Sequence, residues 1–146
     1  MKAPIELVEG GTMPRRATEG AAGFDCYARV EVELQPMVPT KVPLGFKLGA
    51  LEHARGVGPY EVALRGRSGL LTKHRILCPV GTIDQDYRGE VSAVLVYLGP
   101  DLSFTILAGA RVAQLVYHPI LLPVFHRVVL VDETARGEGG FGSTGH

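Results

Sequence analysis

GTIDQDYRGEVSAVLVYLG, residues 81–99, joins a short β-branched run to a long apolar one through a polar knot flanked by glycine. The second half, EVSAVLVYL, has the length and side-chain types of a strand. The knot, DQDYRG, holds more charge than a hairpin turn requires, since two small residues suffice to reverse a chain. The same pattern of short runs extends in both directions. PIELVE, VEVEL, TKVPLGFKL, YEVAL, RILCPV, LSFTIL, ARVAQLVYH and LPVFHRVVLVD are each about one strand long, and GG, PRR, QPMVP, GVGP, GPD, LAG and HP punctuate them. Nineteen glycines and ten prolines are spread through the chain, and no 3.6-residue apolar period lasts beyond a turn or two. The sequence therefore predicts an all-β fold, a distorted jelly roll or β-sandwich. Brief helical turns are expected only at SGLLTKH, 68–74, and GALEHARG, 49–56.

With 146 residues, 46% hydrophobic and 21% charged, the chain suits one globular domain with a real core. Lys plus Arg equals Asp plus Glu at 15 each, so no overall field draws it to nucleic acid or to an anionic membrane. Any polyanion it binds is small and held locally. The apolar runs are short and broken by proline, and MKAPIELVEGG lacks the apolar stretch of a signal peptide, so a cytoplasmic protein is expected. Cys26 and Cys78 lie far apart without CxxC spacing, which reads as two reduced, buried thiols.

Five stretches are richer in polar and glycine residues than a sandwich needs. In ATEGAAGFDCYA, 17–28, Asp25 sits among small and apolar residues, where a carboxylate either caps a turn or needs a cation. In RGRSGLL, 65–71, Arg67, Ser68 and Gly69 form either a plain helix cap or an anion seat of guanidinium, hydroxyl and backbone N–H. Within the knot, Asp84 and Asp86 suit a metal-binding DxD pair, a turn cap or a general base on water. Tyr87 either stacks on a sugar or covers the core. In GARVAQLVY, 109–117, strand alternation puts Arg111 with Ala113 and Leu115, and Gln114 with Val112 and Val116. Gln114 then interrupts an apolar face, as a core hydrogen bond or as part of a polar site. The tail RGEGGFGSTGH, 136–146, surrounds Phe141 with five glycines. Its composition alone fits a loose terminus, or a kit for holding a base and its phosphates.

Taken in order and spacing, ATEGAAGFDCYA, RSGL, GTIDQDYRGE, GARVAQL and RGEGGFGSTG resemble the five motifs of the trimeric dUTPases, over nearly the whole chain. The resemblance implies a jelly-roll body, residues 1–135, and a flexible glycine-rich arm, 136–146, that closes an active site. It implies a homotrimer with shared sites that hydrolyses dUTP, with Mg²⁺ on the triphosphate, to dUMP and pyrophosphate. Such an activity limits uracil in DNA and supplies dUMP. Asp84 matches the carboxylate that orients the attacking water, and Gln114 the amide that reaches the α-phosphate. Tyr87 lies under the deoxyribose, and the hairpin from Thr82 and Ile83 to Ser92 reads uracil largely through backbone. Asp25 holds Mg²⁺ through water, while Arg67, Ser68 and Gly69 bind phosphate. In the arm, Phe141 stacks on uracil, and Arg136, Gly142, Ser143 and Thr144 close over the phosphates. Cys78 stands where many bacterial members place an Asn that touches the base, and Gly66 is smaller than the residue usual there.

The resemblance fits the chemistry, because attack on a phosphoryl centre demands positioned charge more than covalent help. It also fits the arm's energetics. Ordering eleven residues costs on the order of 10 to 20 kcal/mol of backbone entropy, against about 1 to 3 from one base stack. Phosphate contacts must therefore hold the arm down, and it orders only over a nucleotide. Two rival readings remain. A dCTP deaminase of related fold needs a glutamate facing the base, and the chain has Val94 there. A non-catalytic jelly-roll module has no use for Asp25, Asp84, Gln114 and the arm together.

Overall fold

Eleven strands and one seven-residue helix follow one another in the described residues, 2–52 and 58–140, of the computed structural model. The strands are β1 (Ile5–Leu7), β2 (Phe24–Tyr27), β3 (Val32–Leu34), β4 (Thr40–Pro43), β5 (Phe46–Leu48) and β6 (Tyr60–Arg65). Helix α1 (Ser68–His74) follows, then β7 (Ile76–Leu77), β8 (Gly81–Asp84), β9 (Ser92–Tyr97), β10 (Phe104–Ile106) and β11 (Arg111–Pro119). All the ladders between these strands are antiparallel. A four-stranded sheet runs β2-β11-β6-β8 and a three-stranded one β4-β9-β7, with β1-β5 and β3-β10 as two-stranded ribbons.

Period-2 patterning builds the core between these layers. In β9, Ala93, Leu95 and Tyr97 point inward while Val94 faces out, and the inward residues join Leu34, Val42, Leu44, Phe46, Ile76, Val112 and Leu115. Ala63, on the outer face of β6, is buried as well, because it is small and sits between Val116 of β11 and Thr82 of β8. The outer face of this sheet is therefore not wholly given to solvent.

The all-β reading and the helix at 68–74 match the structure. TKVPLGFKL divides into β4 and β5 at Gly45, whose φ of 75° favours glycine, and Gly11 crosses there so closely that a Cβ on it would lie 1.9 Å from the Gly45 carbonyl oxygen. The expected turn at 49–56 lies partly outside the described residues. Glu52 itself is extended, exchanging backbone hydrogen bonds of 3.3 and 2.8 Å with Lys2. FDCY forms a strand that its glycine-rich flank concealed.

LPVFHRVVLVD, expected as a strand, is not one. After Pro119 the chain leaves the sheet, and residues 121–131 carry Leu121, Val124, Phe125 and Val129 almost fully exposed. A strand needs a neighbour, and this segment finds none among the described residues. So many bare apolar side chains in sequence belong against another surface. Among the described residues no helix is long and apolar enough to cross a membrane.

Candidate active site

Asp25 and Gln114 stand opposite each other in the β2–β11 ladder, and Gln114 stands opposite Arg65 on β6. A bulge between Arg111 and Ala113 shifts the register and corrects the expected alternation. The inserted residue turns Arg111 away from the Ala113 face and onto the Asp25 side. Both carboxylate oxygens of Asp25 are then taken by guanidinium groups, with Arg67 Nε 3.2 Å from Oδ1 and Arg111 Nη1 3.2 Å from Oδ2. Arg67 also donates from Nη1 to the carbonyl of Arg111 at 3.2 Å, so the three side chains form one unit. The mostly enclosed Asp25 thus has the cations that its setting demanded. Arg111 was missed as a site residue because alternation cannot foresee a bulge.

Arg67 is the N-cap of α1, with φ −102° and ψ 130°, and it makes no side-chain hydrogen bond to the first turn. The N–H groups of Ser68 and Gly69 therefore remain as donors next to a guanidinium. Gln114 lies beside them, its Nε2 donating to the Gly66 carbonyl at 3.2 Å. Its amide has room because residue 23 is glycine. A Cβ there would fall 2.5 Å from Gln114 Oε1 and 3.2 Å from its Cβ.

The smallness of Gly66 also has a local cause. A Cβ on it would lie 2.9 Å from the Cys78 carbonyl oxygen and 3.3 Å from Cys78 Cβ, so the two departures from the family pattern touch each other. Cys78 is buried, its thiol directed at the Pro79 carbonyl at 3.6 Å, and burial pushes the thiol up to about 11. It lines a cleft with Arg67, Ser68 and Val80, apart from the cavity around Asp84. Burial likewise pushes Cys26 up to about 12, so neither thiol is a nucleophile at neutral pH.

A cavity of about 280 Å³ lies between β8 and β9, lined by Thr82, Ile83, Asp84, Tyr87, Glu90, Ser92 and Val94. These two strands do not pair with each other, which corrects the expected hairpin: β8 pairs with β6, and β9 with β4 and β7. The physical reason lies in RILCPV. The β7–β9 ladder stops after Leu77, and Pro79 has no N–H to continue it. The facing edges of β8 and β9 are thus left apart, with backbone groups available to a flat polar ring.

Asp84 ends β8 with its side chain exposed, directly across from Glu61 on β6. Tyr87 closes the turn beyond, its N–H donating to the Asp84 carbonyl at 3.0 Å and its hydroxyl to the Glu90 carbonyl at 3.2 Å. The ring lies over Gly89, where a Cβ would be 2.3 Å from the hydroxyl oxygen. Burial would raise the carboxyl of Glu90, yet hydrogen bonds from Arg29 and from the Gly45 N–H, with the charges of Arg29 and Lys41, hold it below the ordinary carboxylate range.

The two clusters do not meet within one chain. Gln114 pairs with Arg65 and Asp84 with Glu61, four residues apart along β6 and on opposite sides of it. Strands about 4.8 Å apart, rising about 3.4 Å per residue, put Asp84 roughly 17 Å from Gln114 and roughly 20 Å from Asp25. Arg136 is turned onto its own loop, donating from Nε to the Gly139 carbonyl at 2.7 Å. Phe141, Gly142, Ser143 and Thr144 lie outside the described residues.

A model of the dUTPase family matches residues 9–145. The chain belongs to the dUTPase family. The deoxyuridine 5'-triphosphate nucleotidohydrolase of Zymomonas mobilis subsp. mobilis is 47% identical over 134 residues, covering 90% of this chain and 87% of the relative. A mutant dUTPase of Staphylococcus bacteriophage 80alpha with dUpNHpp superposes with a TM-score of 0.89 at 24% identity, covering 99% of each chain. A mutant dUTPase from phage phi11 of S. aureus, which coordinates a structural Mg(II) ion, reaches 0.80 at 21% identity over 91% of this chain and all of that one. At these identities the two phage structures speak for the fold, and the Zymomonas relative for the family.

Proposed function

We infer that this chain is a dUTP diphosphatase, releasing dUMP and pyrophosphate by attack of water at the α-phosphate. The observation that carries the reading is the unpaired β8–β9 cleft, with Asp84 and Tyr87 on its wall, in a chain of the dUTPase family. Uracil fits between the strand edges as a ring with donors and acceptors on one side, read by backbone. The ring of Tyr87 stands where deoxyribose passes and a 2′-hydroxyl would collide. Asp84 holds water for attack and accepts its proton. Arg67, Ser68 and Gly69 take the phosphates, and Gln114 donates to the α-phosphate as its charge develops.

The residues also fit Mg²⁺. Among the described residues no three acidic, His or Cys side chains converge, and Asp25 already engages two guanidinium groups. Asp25 would hold such a cation through water rather than directly, since its oxygens already face Arg67 and Arg111. When bound, Mg²⁺ would supply positive charge against the phosphates.

Asp84 and Gln114 must both reach the same α-phosphate and water, yet stand roughly 17 Å apart in one chain by strand geometry. We therefore assign them to different subunits of a homotrimer, with the arm of residues 136–146 closing the site over the phosphates. The bare apolar residues 121–131 supply a surface for the neighbouring subunit. A nucleoside triphosphate substrate places the work in the cytoplasm.

One assay decides among the readings. With Mg²⁺, pyrophosphate is expected from dUTP far faster than from dCTP, dTTP or UTP. Ammonia from dCTP would restore the deaminase, which the exposed Val94 in the cavity disfavours. No pyrophosphate from dUTP would leave only a binding module.

Two substitutions probe the parts. Tyr87→Ala is expected to narrow the gap between dUTP and UTP in kcat/KM, because the wall against the 2′-hydroxyl is gone. An unchanged ratio would assign the sugar to another group. Gly23→Ala is expected to displace the Gln114 amide, since the new methyl meets Oε1 at 2.5 Å. The amide end can swing aside, but the methyl also meets Gln114 Cβ at 3.2 Å, which the β11 backbone holds, so Tm falls along with kcat, the latter by about 10²-fold, the scale of one lost oxyanion donor. A normal kcat would remove Gln114 from the chemistry.

A further inference from the structure

We propose that Arg29 and Glu90 form a brace that positions the nucleoside pocket, fixing the 87–90 segment and with it the ring of Tyr87. The proposal rests on the reading of Tyr87 as the wall beneath the sugar. Arg29 lies outside the five motifs and Glu90, the last residue of the third, has no role assigned to it there, yet Glu90 lines the same cavity as Asp84 and lies three residues beyond Tyr87.

The contacts form a continuous chain. The Glu90 carboxylate accepts from Arg29 Nε at 2.8 Å and Nη2 at 3.3 Å, and from the Gly45 N–H at 3.0 Å. The carbonyl of Glu90 accepts the Tyr87 hydroxyl, and the ring rests on Gly89. On the far side, the Val91 N–H donates to the Phe46 carbonyl at 2.9 Å, and the Leu44 N–H to the Val91 carbonyl at 3.0 Å. Arg29 has little freedom to swing. Its stem runs across the crossing of Gly11 and Gly45, where a Cβ on Gly45 would be 3.0 Å from Arg29 Cδ and 2.4 Å from Gly11 Cα.

An ion pair about a quarter exposed adds little to stability. What a forked guanidinium–carboxylate pair supplies, and an apolar contact does not, is direction. Here the direction is transmitted over one peptide to the carbonyl that orients the Tyr87 hydroxyl. The ring's height over the sugar is therefore set by the Arg29–Glu90 geometry. That height is what separates a hydrogen from a hydroxyl at the 2′ carbon.

The test uses the full chain with Arg29→Met, which keeps the stem, Glu90→Gln, which keeps an acceptor for Gly45, and Arg29→Lys. Steady-state rates with dUTP and UTP are combined with Tm and with calorimetric binding of dUMP and UMP. The first two variants are expected to raise KM for dUTP and to lower the dUTP over UTP preference, each by about tenfold, on the scale of one charge-assisted hydrogen bond. At saturating dUTP, kcat should stay within about twofold. Arg29→Lys should recover part of the loss, and Arg29→Met should change the preference no further once Tyr87 is Ala. Unchanged preference in a folded variant, or a fall in kcat at constant KM, overturns the brace. Failure of all three variants to fold makes the pair a stability element and overturns it too. If the wild-type chain neither cleaves dUTP nor prefers dUMP to UMP, the dUTPase reading falls first and takes the brace with it.

Discussion

Asp84→Asn is expected to lower kcat for dUTP by roughly 10² to 10⁴-fold, the usual scale for a general base, while the protein stays folded and still binds dUTP. The structure explains why these effects separate. Asp84 sits at the end of β8 with its backbone in the β6 ladder and its side chain exposed, and no salt bridge to it is present among the described residues. The amide keeps the shape, so the fold loses nothing. It even relieves the like charge of Glu61 directly opposite, which a ladder tolerates poorly. What disappears is the negative charge proposed to orient water and accept its proton. Tm and calorimetric affinity for an uncleaved dUTP analogue should thus match wild type, with turnover nearly gone. A near-normal kcat would sink the assignment of Asp84, and a large fall in Tm would make the residue structural.

Much of this was legible in the sequence, for reasons that particular residues show. Period-2 runs such as SAVLVY form strands because alternation is a local property of the pleat, and α1 begins at Ser68 as the RSG pattern implied. Asp25 stood out because a carboxylate in apolar surroundings is too costly alone, but the sequence left both a turn cap and a cation open as answers, and only the fold brings Arg67 and Arg111 to it. What stayed hidden depends on pairing. The bulge that swings Arg111 onto Asp25 exists only in the ladder with β2. The open β8–β9 cleft follows from which partners those strands take, and the sequence around DQDYRG reads equally well as a closed turn. Gly23 and Gly66 look like linker glycines until the Gln114 amide and Cys78 arrive against them from elsewhere in the chain. LPVFHRVVLVD has every local mark of a strand and no strand partner among the described residues, so local patterning alone misreads it.

Mixing two inactive chains is expected to restore activity to about a quarter of wild type, and this outcome tests the shared site itself. One chain carries Asp84→Asn with an intact arm. The other ends after Ala135 and keeps Asp84. Each alone should be nearly dead. On the proposed reading Asp84 and Gln114 act from different subunits, since by strand geometry roughly 17 Å separates them within one. On the same reading the arm adds a third contribution to each site. Refolded together in equal amounts, about three quarters of random trimers contain both kinds of chain. Around a closed ring of three, each mixed trimer has one site that pairs an intact Asp84 with an intact arm from the next subunit, whichever chain is in the majority. About one site in three is then whole, giving a recovery of about a quarter if exchange is complete and the sites act independently. Were Asp84 and the arm to meet within a single chain, no mixture could restore a site, because every subunit lacks one of the two. Native mass spectrometry confirms that mixed trimers have formed. Mixed trimers without recovered turnover would rule out the shared site, and recovery near one quarter would fix both the ring closure and the crossing of the arm.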